Sequence, residues 1–165
     1  MKNQDFTTTV LVDQTPLEVF NAIKNVRGWW SENIEGSTDT LNGQFVYNYK
    51  DIHLSKIQVT ALVPAEKVEW LITDNYLKFT RDKSEWIGTR VIFNISRENG
   101  RTAVRFTHEG LVPQYECYEV CNEAWNHYIQ DSLYHLITAG KGKPSPKDYG
   151  KSFDTALVEK WKLDN

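Results

Sequence analysis

The stretch Phe106-Thr107-His108-Glu109-Gly110-Leu111 sets an imidazole beside a carboxylate, two groups that commonly divide general acid and base work near neutral pH. Joint action on one reacting atom needs both side chains on the same side of the chain. Adjacent residues on a β-strand point to opposite faces, so His108 and Glu109 diverge if this stretch is a strand, and they cannot form a dyad. Two other sets have chemically useful types at regular spacing: Cys117 with Cys121, and His127, Asp131 and His135. Cysteines at i and i+4 on a helix rarely suit a disulfide, and without a second Cys or His pair they lack a zinc signature; they read as buried or half-buried thiols. In the i, i+4, i+8 series only two neighbours readily meet, and Glu123, Gln130 and Tyr134 nearby mark a solvated helix face, so no metal is expected. The sequence has no Gly-rich phosphate loop, nucleophile elbow or HExxH motif. No catalytic residue and no cofactor is assigned.

Composition limits the partners. Lys plus Arg number 19 against 22 acidic residues, a formal net charge of −3 without a long basic run, so the footprint of a nucleic-acid binder is missing and none is expected. The beginning, MKNQDFTTTVLVD, has no apolar signal core, and no stretch approaches the length of a membrane span; a soluble, cytoplasmic protein is expected. Six Trp, eight Tyr and seven Phe make up 13% of 165 residues, enough rings to fill a large core or to line a cavity for an apolar ligand.

The elements that position these residues follow from pattern. FTTTVLV (residues 6 to 12) alternates as a strand does. Thr15-Pro16-Leu17-Glu18 is a capping box with proline at the first helical position, so a helix starts at Pro16, with Leu17, Phe20, Val19 and Ile23 as its apolar face. Asn25 to Gly28 end it before Trp29-Trp30, a pair read first as core plugs. Strands are expected at 45–50, 55–63, 67–73, 87–96 and 102–107, and Asn99-Gly100 predicts a type I′ hairpin joining the last two. Period two then places Val91, Phe93 and Ile95 on one face and Val104, Phe106 and His108 on another inward face, with Glu109 outward. After Pro113 a long amphipathic helix is expected, with Cys121, Trp125, Tyr128, Ile129, Ser132 and Leu136 on one side and Gly140 as its cap. A connection to Pro146 follows, then a tail in which Asp154 is expected to begin a short helix bearing Leu157, Val158 and Trp161.

Together these elements predict an α+β fold, a curved antiparallel sheet around a long C-terminal helix. That order, with Glu85-Trp86-Ile87-Gly88-Thr89, Phe106 to Leu111, Trp125-Asn126-His127-Tyr128 and Ser132 to Gly142, resembles the START/Bet v 1-like (SRPBCC) superfamily. More narrowly, it is similar to the bacterial family grouped with the activator of heat-shock protein 90 ATPase. The likeness spans residues 5–142 and implies a helix-grip domain over 1–142, with 143–165 as a C-terminal tail. It also implies an apolar cavity between sheet and helix, of the kind used in that superfamily for lipids, hormones or polyketides.

Three functions are compatible with that resemblance. The first is binding of a small apolar or amphipathic ligand by Trp30, Tyr47, Trp70, Phe93, Phe106, His108, Trp125, Tyr128 and Ile129, with His108 as a polar handle in an apolar cavity. The second is a domain with a chaperone partner, as the family name implies. The third is an enzyme of the polyketide cyclase or dehydratase type, for which His108 is the one candidate acid or base; the reading leans away from an enzyme.

Overall fold

The computed structural model of the chain describes residues 5–49, 53–77, 86–112 and 118–145. β1 (Phe6–Val12) leads into α1 (Pro16–Lys24) and the short α2 (Val26–Trp29). β2 (Ile34–Gly36), β3 (Gln44–Tyr49), β4 (His53–Val63), β5 (Lys67–Leu77), β6 (Arg90–Glu98) and β7 (Arg101–Glu109) follow. α3 (Tyr118–Asn126), a π-helical segment (His127–Leu133) and α4 (Tyr134–Ala139) run on as one C-terminal helix of 22 residues. The strands form a single seven-stranded sheet in the order β1-β7-β6-β5-β4-β3-β2, every neighbouring pair antiparallel. This is the expected α+β helix-grip architecture.

Local chemistry explains the element boundaries. Thr15 Oγ1 accepts from the Glu18 amide at 3.1 Å while Glu18 Oε1 accepts from the Thr15 amide at 2.9 Å, so the capping box is complete. Leu17 lies on the open side of that helix, 52% exposed, and only Val19, Phe20 and Ile23 face inward; proline sets the start of the helix but not its rotation. Asn99 and Gly100 both have positive φ, and Glu98 pairs with Arg101 across them, as a type I′ turn requires. Ile87 does not begin a strand. It sits in a turn from Trp86 to Gly88, 44% exposed, because the Gly88 amide bonds back to the Ile72 carbonyl and the Ile72 amide to the Thr89 carbonyl.

Two irregularities shift residues relative to simple periodicity. Between Ile72 and Asp74 the β4–β5 ladder skips a residue, so inward parity passes from Val68, Trp70 and Ile72 to Asn75. In the C-terminal helix the buried positions are Cys121, Trp125, Ile129, Ser132, Leu133 and Ile137. On an α-helix a spacing of four drifts by about 40° per step. The wider turns of the π-segment turn the drift back, so Leu133 and Ile137 replace Leu136 on the inner face.

Beyond Gly140, which caps the helix at φ +82°, the chain returns across α2. Ser145 donates its amide to the Trp30 carbonyl at 3.0 Å and accepts from the Glu32 amide at 2.9 Å. Ser132 Oγ donates to the Trp29 carbonyl at 2.6 Å and accepts from the Lys143 amide at 2.7 Å. The expected helix at Asp154, with Leu157, Val158 and Trp161, lies outside the described residues.

Gly142 makes this return possible, since a Cβ there would collide with the Gly28 carbonyl oxygen and stand 2.9 Å from that of Ser132. Both obstacles are backbone and cannot swing aside. Gly142→Ala is therefore expected to cost about 1–3 kcal/mol as an overpacking change, read as a melting temperature lower by several degrees in calorimetry. An unchanged melting curve would show that the return segment is not held against α2.

Candidate functional site

The inner faces of β3 to β7 and the C-terminal helix meet in a layer of aromatic rings. Trp30 stacks on Tyr47 at 4.1 Å between centroids and on Trp70 at 5.7 Å, and lies 5.0 Å from Trp125. Trp70 meets Phe93 at 5.3 Å, Phe93 meets Phe106 at 5.2 Å, and Phe106 meets Trp125 at 4.6 Å. Side chains that line an open cavity keep accessible surface inside it. Trp30, Tyr47, Trp70, Phe93, Phe106, His108, Trp125 and Ile129 keep between 0% and 4%, so the rings close on one another. The fold thus brings these expected ligand-binding residues into one continuous layer. Tyr128 stands at its margin, half-buried, with its hydroxyl 2.6 Å from Ser145 Oγ.

His108 is fully buried and Glu109 exposed on the other face of β7. They diverge, as the alternation argument requires. Both imidazole nitrogens of His108 are occupied. An indole N–H can only donate, so His108 Nδ1 accepts from Trp125 Nε1 at 3.0 Å. The Thr89 hydroxyl donates its proton to the Trp86 carbonyl at 2.6 Å, leaving its oxygen to accept from His108 Nε2–H at 2.8 Å. The ring is therefore the neutral Nε2–H tautomer. Both positions of the expected polar handle, one donor and one acceptor, are thus engaged within the fold.

A second polar group adjoins the first through Trp86. The Trp86 ring lies edge-to-face with both His108, at 4.6 Å, and His53, at 4.5 Å. His53 Nε2 is 2.6 Å from Ser55 Oγ, which accepts from Asn75 Nδ2 at 3.0 Å. The Asn75 side-chain oxygen accepts the Trp86 amide at 3.1 Å. Desolvation pushes both imidazoles down, each to about 3, and for His108 the nearby His53 adds to the effect.

His53, Ser55 and Asn75 were not singled out from sequence, and Trp86 and Thr89 entered only through the stretch that carries the family resemblance. For His53 and Ser55 a signal existed: the inward alternation of Ile57 and Val59 extends back through both of them. Asn75 gave none, since its inward direction follows from the skipped residue in β5.

The other chemically suggestive sets lie apart from this layer. Asp131 reaches His135 at 3.0 Å, His127 at 3.7 Å and Lys143 at 3.1 Å, so all members of the His127 series meet at one carboxylate, which the expected pairing of only two neighbours did not foresee. The Lys143 ammonium and the two imidazoles hold the Asp131 carboxyl below its usual range. Among the described residues no group of three or more such side chains is arranged to hold a metal ion. Cys121 is buried; Cys117 lies outside the described residues.

Sheet and helix together form a helix-grip fold. The chain is similar to the solution structure of the Aha1 dimer from Colwellia psychrerythraea, with 22% identity over 86% of this chain and 100% of that one and a TM-score of 0.67. It is also similar to CalU16 from Micromonospora echinospora, with 13% identity, 84% of this chain, 76% of that chain and a TM-score of 0.61. DynU16, from the dynemicin biosynthetic locus, matches at 13% identity over 86% of this chain and 49% of its own length, with a TM-score of 0.60. At these identities the likeness is one of fold. No protein-family model and no curated protein matches the sequence. Among the described residues no helix is long and apolar enough to cross a membrane.

The buried imidazoles make stability depend on pH with a definite sign. Unfolded, each binds a proton below its ordinary value of 6.5; folded, each stays neutral down to about 3. Between these limits the unfolded chain binds more protons, so stability falls as pH falls. At pH 5 His108 alone accounts for about 2 kcal/mol relative to pH 7.5. Urea denaturation at the two pH values measures this. His108→Gln, which can still accept from Trp125 and donate to Thr89, is expected to flatten the difference; an equal pH dependence in that variant would mean that His108 charges freely in the fold.

Proposed function

We propose that the protein binds a small apolar or amphipathic molecule between its sheet and C-terminal helix. One observation carries this reading: a run of polar side chains, from the half-buried His53 through the buried Ser55, Asn75 and Thr89 to His108, is set into an otherwise aromatic interface. Apolar residues of similar size would fill a core with less desolvation cost, so polar groups retained there point to recognition. Because the rings touch, the ligand enters by parting them, and tryptophan fluorescence should report it.

The closed packing of the layer favours a second reading, a domain that acts through its surface on a protein partner. The Aha1 likeness supports it, and a bacterial heat-shock protein 90 homologue is the partner that this family suggests. An enzyme of the polyketide cyclase or dehydratase type draws less support, since the imidazole it would use has both nitrogens engaged.

Native mass spectrometry of the protein as purified tests the first reading. A retained molecule of a few hundred daltons, lost on denaturation, is the expected result. Absence of any adduct, together with capture of the heat-shock protein 90 homologue in a pull-down, would move the second reading to first place.

A further inference from the structure

The indole N–H of Trp86 is buried, with the residue 3% exposed, and has no hydrogen-bond partner among the described residues. Buried donors are nearly always satisfied, so one left open asks what completes it. The Trp86 backbone is not free to drift toward a partner. Its amide is held by Asn75 Oδ1 at 3.1 Å, and its carbonyl accepts from both the Thr89 amide at 3.0 Å and the Thr89 hydroxyl at 2.6 Å. The adjoining His108 has no spare acceptor, since its Nδ1 already takes the Trp125 proton.

Trp70 Nε1 is likewise unpartnered, but Trp70 is walled in by Trp29, Trp30, Phe45 and Phe93. Trp86 instead borders His53, which retains some exposed surface. Of the two open donors, Trp86 is the one with a neighbour at the surface.

We propose that Trp86 Nε1–H is the polar recognition point of the ligand site, and that the molecule bound there is a neutral one presenting an oxygen acceptor of the ketone, ester or ether type. The assignment rests on the ligand-binding reading above and adds the chemistry of the ligand to it. A donor selects an acceptor, not a cation. Among the described residues, the groups in contact with Trp86, His53, Asn75, Thr89 and His108, include no carboxylate to balance an ammonium and no Lys or Arg to balance a carboxylate. Trp86 and Trp125 lie parallel at 5.9 Å and 13°, so the apolar body of such a molecule would contact flat ring surfaces once the pair is parted.

The test uses three bicyclic probes of one shape: 1-tetralone with a carbonyl oxygen, tetralin without it, and 1-aminotetralin as a cation. Binding to the full chain is followed by the indole 1H–15N resonances, with the Trp86 signal assigned by its loss in Trp86→Phe. Tetralone is expected to bind about tenfold more tightly than tetralin, as one hydrogen bond allows, to move the Trp86 indole signal downfield, and to outcompete the amine. Replacing Trp86 with benzothienylalanine, which keeps the ring shape and removes the N–H, should abolish that preference and leave tetralin binding unchanged.

Equal binding of tetralone and tetralin, or a preference that survives in the benzothienyl variant, overturns the assignment while leaving a ligand site in place. If none of the probes binds and no molecule is retained by the purified protein, the ligand-binding reading falls, and the assignment with it.

Discussion

Much of the interior is organised around one neutral imidazole. Trp125 on the C-terminal helix donates to His108 on β7, His108 donates to Thr89, and Thr89 donates to the carbonyl of Trp86. Every bond in this relay points the same way, so each polarises the next, and the relay crosses from helix to sheet to the turn after β5. Aromatic rings alone would allow the helix to slide or rotate over the sheet at little cost, because ring contacts are broad and weakly directional. A buried relay allows one position, since any displacement leaves donors and acceptors unmatched in a dry interior. The stacking of Trp30 and Trp86 around Trp125 inherits that position.

Neutrality is a condition of this arrangement. A second proton, on Nδ1, would remove the acceptor that Trp125 needs and would place a charge among rings, with no carboxylate of the described residues bonded to it. The surroundings of His108 therefore choose its charge state, its tautomer and the helix position at once. His53, on the far side of Trp86, is kept neutral by desolvation, and its nearness further disfavours protonation of His108.

The sequence was most informative where local chemistry decides the outcome. The Thr15–Glu18 box, the Asn99-Gly100 turn, the Gly140 cap and the inward direction of His108 depend on residues close together in the chain, and each appears in the fold. The order of elements was enough to read the helix-grip architecture. What escaped depends on long-range fit. Leu17 points outward because the sheet, not the capping box, sets the rotation of α1. Leu136 yields the inner face to Leu133 and Ile137 because a π-segment absorbs a drift that an ideal 100° wheel keeps. Asn75 turns inward only because β5 carries an extra residue opposite β4, and no pattern in 67–77 marks it. As a result the aromatic members of the candidate site were legible, Trp70 of β5 among them, and the polar ones on β4, at the end of β5 and in the turn at Trp86 were not.

The two ends of the aromatic layer are held with different strength, and this bears on how a closed core could admit a molecule. At the Trp29–Trp30 end, main-chain carbonyls are tied to the helix and to the returning segment through Ser132, Lys143 and Ser145, and Gly142 fits there only because it has no Cβ. Parting the layer at that end breaks backbone hydrogen bonds and leaves buried carbonyls unmatched. Near Trp86 the walls are side chains: an imidazole with some exposed surface, a tyrosine ring 4.8 Å from it, and an indole whose N–H has nothing to lose. Rotating His53 away from Trp86 gives up a ring contact and the bond to Ser55, both recoverable with water at the surface. The lower cost of opening thus falls on the side where an unsatisfied donor stands, so the proposed ligand would enter at the His53 edge, with the Trp29–Trp30 end staying closed.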